Sequence, residues 1–217
     1  MEFMELVTKR QSIRKFTPQD VPMEDLLQMV DAARCAPSGK NIQNWHFVIT
    51  KNNDLFEKIG DAILEKNRLI AEKMKQVDEE KSNRFEKFAK NFTLFYKNAP
   101  ALVLVFACDY FPSGYPEMNL IGSSKYETEK LFWRNPGMQN IGAAMENFTL
   151  RCVELGYGSC WMTSQNYAAD EIELILKQEH GFEMDNFHLA AMLAVGVPQE
   201  QQKSPEKKKL EEIYTIL

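Results

Sequence analysis

Ala101-Leu102-Val103-Leu104-Val105-Phe106-Ala107-Cys108 is an apolar run without alternation, the pattern of a strand covered on both faces. Upstream of it, Leu55 to about Lys97 is a long, charged, helix-favouring region in which Phe85, Phe88, Phe92, Phe95 and Tyr96 recur at steps of three and four. Aromatic residues at that spacing predict a packing face. Trp45 to Thr50 reads as a strand. Met23 to Arg34 sets Leu26, Leu27, Val30 and Ala33 at helical spacing, which predicts a core-facing helix, and Phe3 to Val7 reads as a short one. Downstream, Asp109 to Arg134 is broken by Pro112, Gly114, Pro116 and Gly122 and reads as an irregular cover. Asn135-Pro136 is a helix start, with a capping amide and a proline at the first helical position. Met138, Ile141, Met145, Phe148 and Cys152 give that helix an apolar face, and Gly156 suits a left-handed end. Gly158 to Met162 predicts a strand, Thr163 to Asn166 a polar loop, Asp170 to His180 a helix and Phe187 to Gly196 a last buried strand.

Two polar segments interrupt this framework. In Ala36-Pro37-Ser38-Gly39-Lys40-Asn41-Ile42-Gln43-Asn44-Trp45, proline, serine and glycine end the preceding helix. The resulting elbow carries a hydroxyl, an ammonium and three amides, donors that suit a planar ligand with polar edges. An ordinary solvated loop carries the same residue types. In Arg10-Gln11-Ser12-Ile13-Arg14-Lys15-Phe16 the period changes to two, so Arg10, Ser12 and Arg14 share one face and Ile13 takes the other. Two guanidiniums around a hydroxyl make a clamp for an anion or a carbonyl edge. A solvated basic strand edge is the competing reading.

At 217 residues the chain suits a single domain, 1–217, with 44% hydrophobic and 26% charged residues, near the globular averages. A net charge of -5 argues against a nucleic-acid groove, and no apolar run reaches bilayer length. Met1 to Glu5 lacks the pattern of a signal peptide, and Cys35, Cys108, Cys152 and Cys160 are too scattered for a disulfide framework, so a cytoplasmic location is expected. Three isolated histidines offer no metal cluster and little for a Ser-His-Asp or Cys-His arrangement. There is no Gly-x-Gly-x-x-Gly, no Walker loop and no Gly-x-Ser-x-Gly. Protein-supplied nucleophilic or acid–base chemistry is thus weakly motivated, and a bound cofactor is the expected source of any difficult step.

Three motifs in order, Arg10-x-Ser12-x-Arg14-x-Phe16, Ala36 to Trp45 and Gly156-Tyr157-Gly158-Ser159-Cys160-Trp161, resemble the nitroreductase family of FMN-dependent NAD(P)H oxidoreductases. The resemblance runs from Arg10 to the tail and is weakest over Asn53 to Arg134. It implies an α+β, three-layer sandwich around a central, mostly antiparallel sheet, with a domain-swapped tail, in a homodimer with two FMN sites at the interface. By position it implies that Arg10, Ser12 and Arg14 hold the FMN phosphate, ribityl chain and pyrimidine edge. Pro37, Ser38 and Asn41 would reach the same flavin from the other subunit, with Gln43 nearby. Met162, Thr163 and Ser164 would line the flavin face, and Lys207 or Lys208 would meet the phosphate where an arginine is more usual. Asn44 stands where such proteins often have proline.

The implied activity is ping-pong hydride transfer from NAD(P)H to nitroaromatic, quinone or similar acceptors, with no catalytic residue supplied by the protein. A guanidinium at the pyrimidine edge would favour the reduced flavin electrostatically. Alternatives are another use of the same flavin (dehydrogenation, dehalogenation or flavin breakdown) and a flavin-binding protein without turnover.

Overall fold

Residues 101–108 form the second strand of a four-stranded sheet in a computed structural model that describes residues 2–200, 202 and 204–217. The strands are β1 (Trp45–Thr50), β2 (Ala101–Cys108), β3 (Gly158–Met162) and β4 (Phe187–Gly196). They lie in the order β1-β2-β4-β3, with every pair antiparallel. Leu102, Leu104, Phe106, Met192 and Ala194 face one core, whereas Ala101, Val103, Val105, Leu193 and Val195 face another. That double demand is why β2 shows no polar alternation: each parity of its side chains meets its own helical layer.

The helices are α1 (Phe3–Lys9), α2 (Met23–Arg34), α3 (Asn53–Lys75), α4 (Glu79–Phe88), α5 (Tyr115–Leu120), α6 (Lys125–Phe132), α7 (Pro136–Glu154) and α8 (Ala169–His180). Phe56, Ile59 and Ile63 of α3 pack with Ile172 and Leu176 of α8 on one sheet face. Leu26, Met29 and Ala33 of α2 pack with Ile141, Met145 and Phe148 of α7 on the other. The result is the expected α+β three-layer sandwich with an antiparallel sheet. Among the described residues, no helix is long and apolar enough to cross a membrane.

Three expectations change. The region from Leu55 to Lys97 is not one helix: α3 ends at Lys75, and the Asp78 carboxylate accepts the Lys81 N–H to start α4. After α4 the backbone widens into a π turn (Ala89–Thr93) and then tightens into a 3-10 turn (Leu94–Asn98). This splits the aromatic residues. Tyr96 is buried and its hydroxyl donates to Phe56 O at 3.1 Å, while Phe88 and Phe92 face outward. Asp109 to Arg134, read as irregular, holds α5 and α6. Pro116 sits in the first turn of α5, where its missing N–H costs nothing, and Ser124 with Glu127 forms a reciprocal capping box on α6. Leu27 is 56% exposed rather than in the core, and Met29 takes the buried place on α2.

The start of α7 also differs. Asn135 adopts a left-handed backbone (φ 47°) and caps nothing with its side chain, and Met138 is exposed. Gly156 ends the same helix with φ +90°, as its position suggested. The β2–β4 ladder is interrupted between Val105 and Phe106, where Ala190 has no partner on β2. Ala190 and Ala191 consequently both pack toward the α2–α7 layer.

Candidate active site

The segment from Arg10 to Phe16 runs along the outer edge of β3. Ile13 N–H donates to Ser159 O at 2.9 Å, and Thr17 N–H donates to Val197 O at 2.8 Å. Burial of Ile13 and Phe16 leaves Arg14 pointing outward. The Arg10 Nε lies 3.5 Å from Glu146 Oε1 on α7. Among the described residues no carboxylate pairs with Arg14, whose guanidinium lies 5.8 Å from the centre of the Phe95 ring. Arg14 shares a cavity of 270 Å³ with Phe88, Phe92, Cys160 and the Met162-Thr163-Ser164 turn. The Thr93 hydroxyl in the π turn donates to the Ser164 hydroxyl at 3.1 Å. One edge of the sheet thus combines an exposed guanidinium, which donates weakly to Ser12 O at 3.5 Å, with an aromatic wall and a polar turn.

Cys160 belongs to this cluster as well. Burial pushes its thiol up, while Arg14, Ser12 and Arg10 act in the opposite sense. The sequence motif Gly156 to Trp161 includes Cys160 but does not show these neighbours. Strand alternation was the available signal, because it puts Cys160 and Met162 on one face of β3.

The elbow lies elsewhere. Lys40, Asn41 and Gln43 all have left-handed backbone, with φ of 56°, 51° and 49°. Such values are uncommon for residues other than glycine and cost energy that neighbouring contacts must offset. Ser38 supplies two of those contacts: its carbonyl accepts Asn41 N–H at 2.9 Å and its hydroxyl accepts Gln43 N–H at 3.0 Å. The Gln43 amide donates to Asn41 O at 3.4 Å, and Lys40 Nζ donates to Phe111 O at 3.4 Å. Next to the elbow, Tyr110, Phe132 and the Asn135–Met138 turn line a cavity of 170 Å³.

These two clusters sit at opposite edges of the sheet, because β1 follows the elbow and β3 precedes the Met162–Ser164 turn. Three strand spacings separate the edge strands, about 14 Å. Both clusters nevertheless open at the same end, where β1 begins and β3 ends. α7 touches each of them, through Asn140 at the elbow and Glu146 at Arg10. Six residues apart, those two positions are about 9 Å along the helix and about 120° around it. The chain therefore gathers Arg10, Ser12, Arg14, Met162, Thr163 and Ser164 at one edge and Pro37, Ser38, Asn41 and Gln43 at the other. Lys207 and Lys208 are exposed and bond to neither group among the described residues.

A family model described as Nitroreductase family matches residues 7–197. This chain belongs to the nitroreductase family. A crystal structure of a BluB-like flavoprotein from Clostridium difficile 630 is 60% identical to it, with a TM-score of 0.98 over 100% of this chain and 99% of the other. Iodotyrosine deiodinase 1 of Rattus norvegicus is 36% identical over 106 residues, 48% of this nitroreductase-family chain. That match spans only 36% of the deiodinase's own length. A nitroreductase with bound FMN from Bacteroides fragilis NCTC 9343 is 23% identical with a TM-score of 0.67, covering 100% of this chain and 99% of that one, a likeness of fold.

Proposed function

We propose that this chain is an FMN-dependent NAD(P)H oxidoreductase acting on nitroaromatic, quinone or similar acceptors, with each flavin held between two copies of the chain. The observation that carries the reading is the division of the site. A cationic, aromatic-walled cavity of 270 Å³ lies on one sheet edge and the donor-rich elbow, beside a cavity of 170 Å³, lies on the other. Each is smaller than the roughly 300–1,000 Å³ of ordinary ligand sites. Pairing the β3 edge of one copy with the elbow of a second would complete both. The BluB-like flavoprotein and the FMN-bound nitroreductase support flavin as the occupant.

The residues present fit FMN by their chemistry. Arg10 and Ser12 offer a charged fork and a hydroxyl for the phosphate and ribityl chain, and Lys207 or Lys208 would add a point charge. Arg14, exposed and among the described residues without a carboxylate partner, would donate to the pyrimidine edge and favour extra electron density there. Met162, Thr163 and Ser164 would bound the flavin's flat face, and Phe88 and Phe92 belong to the wall of the same cavity. Pro37, Ser38, Asn41 and Gln43 of the second copy would close the slot. When bound, FMN supplies the hydride relay from reduced nicotinamide to acceptor. The chain contributes position, charge and exclusion of water.

An absorbance spectrum of the purified protein, followed by anaerobic addition of NADH or NADPH, tests the reading. A flavin spectrum that bleaches with either nucleotide and recovers with a quinone is expected. A colourless protein that takes up no added FMN would sink it. The deiodinase match favours a second reading, reductive removal of halide from a halogenated phenol at the same site. Halide release from an iodophenol, with slow turnover of quinones, would select it.

A further inference from the structure

Asn44 and Asn140 form a buried amide pair, 1% and 8% exposed. Asn140 Nδ2 donates to Asn44 Oδ1 at 2.9 Å, and Asn140 Oδ1 accepts the Gly39 N–H at 3.1 Å. Asn44 Nδ2 donates to Cys108 O at 3.2 Å and, more weakly, to Gly137 O at 3.5 Å. Cys108 is the last residue of β2 and Gly137 lies in the first turn of α7, so Asn44 bonds both ends of the 109–135 excursion that carries α5 and α6. A buried amide is costly unless its donors and acceptor are used, and here they are used on three separate elements. The elbow and the base of the excursion also meet directly. A Cβ at Gly39 would collide with the Tyr110 ring, one at Gly137 would lie 2.9 Å from Tyr110 Cβ, and Lys40 reaches Phe111 O.

We propose that Asn44 and Asn140 are positioning residues for the cofactor site, a relay that fixes the left-handed elbow and ties it to the hinge of the α5–α6 excursion. The proposal rests on the reading of the elbow as half of a flavin site. Occupancy at Ser38 to Gln43 then reaches the excursion through this amide pair, beside the direct Lys40 and Tyr110 contacts, rather than through the whole α2–α7 layer. Neither residue touches the reacting atoms. Loss of either amide frees the Gly39 N–H or the Cys108 carbonyl, so the elbow and the hinge loosen together.

Hydrogen exchange of the ligand-free full chain tests the relay without any flavin. In Asn44→Ala, amides of 38–43 and of 109–115 should exchange at least tenfold faster while those of β2 and β4 do not change. Asn140→Asp keeps the acceptor for Gly39 and removes the donor to Asn44, so it should loosen 109–115 alone. It also serves if Asn44→Ala fails to fold. Titration with FMN, followed by flavin fluorescence, should show affinity reduced at least tenfold in Asn44→Ala and Asn140→Ala, and no further in the double variant. Ile59→Val, a core change in the opposite layer, should leave FMN affinity intact. Unchanged exchange at 109–115, or affinities equal to that of Ile59→Val, would overturn the relay. If the wild-type chain binds no FMN, the flavin reading falls while the exchange rates still decide whether elbow and hinge are joined.

Discussion

The Thr93 hydroxyl donates to the Ser164 hydroxyl across 3.1 Å, joining the π turn after α4 to the turn after β3. Both sides of the β3-edge cavity are therefore fastened together. Thr93 is fully buried, and Thr93→Val keeps its shape while removing the bond. A stability loss of about 1 kcal/mol is expected in urea unfolding. With the Phe88–Phe92 wall less firmly held, KM for a planar acceptor should rise while FMN affinity stays close to wild type.

Arg14→Ala removes a guanidinium that, among the described residues, no carboxylate neutralises. FMN affinity should fall roughly tenfold, the equivalent of about 1.4 kcal/mol for one charge-assisted contact. The flavin potential should also become more negative in an anaerobic redox titration. Unchanged affinity and potential would remove Arg14 from the site.

Mixing Arg10→Ala with Asn41→Ala tests whether two copies share each site. In a symmetric dimer with random exchange, half of the molecules pair one variant with the other, and each of those carries one site free of both changes. About a quarter of sites should recover flavin. No recovery after subunit exchange, checked by native mass spectrometry, would count against a shared site.

Gly158→Ala acts from behind the arginines. A Cβ there would lie 2.6 Å from Ile13 Cγ1 and 2.9 Å from Pro198 Cγ, so the edge segment must move away from β3. Overpacking of this kind costs about 1–3 kcal/mol, readable as a lower urea midpoint. Because Arg14 rides on that segment, flavin retention should fall with it.

Tyr157 OH donates to Asp25 Oδ2 at 2.6 Å, and this bond, aided by burial, pushes the phenol from 10.0 up to about 12. The fold holds the proton more tightly than the unfolded chain does. The stability it confers is complete below pH 10.0 and is lost as pH rises through about 12. Tyr157→Phe should be about 1 kcal/mol less stable at neutral pH and show a flatter alkaline decline in urea midpoints measured across that range.

The strands and the main packing helices were legible because burial leaves a direct trace. The unbroken apolar run of β2 announced two covered faces, and Phe187–Gly196 matched β4 at both ends. What escaped notice depended on tertiary context. Leu27 has helical spacing yet lies on the solvent side, since the stripe of α2 is centred on Leu26, Met29 and Ala33. α5 hid behind Gly114 and Pro116, which start it rather than break it, and α6 behind the same broken-looking stretch, where Ser124 and Glu127 cap it. For the candidate site, alternation along Arg10–Phe16 holds only in part: Ile13 is buried and Arg14 exposed, but Phe16, of the same parity as Arg14, is buried as well and Lys15 is exposed. No local pattern could announce that Asn140, nearly a hundred positions along the chain, would hold Asn44.

The unpaired residue in β4 has one more effect. Asn166 Nδ2 donates to the carbonyl of Ala190 at 2.8 Å, so the carbonyl of the bulge residue is the anchor for the turn that carries Thr163 and Ser164. Deleting Ala190 would regularise the ladder and leave Leu189 and Met192 on the face they already share, yet it would rob Asn166 of its acceptor. Exposed loops elsewhere tolerate length changes, whereas this strand cannot be shortened by a single residue without unmooring the turn at its neighbour's end.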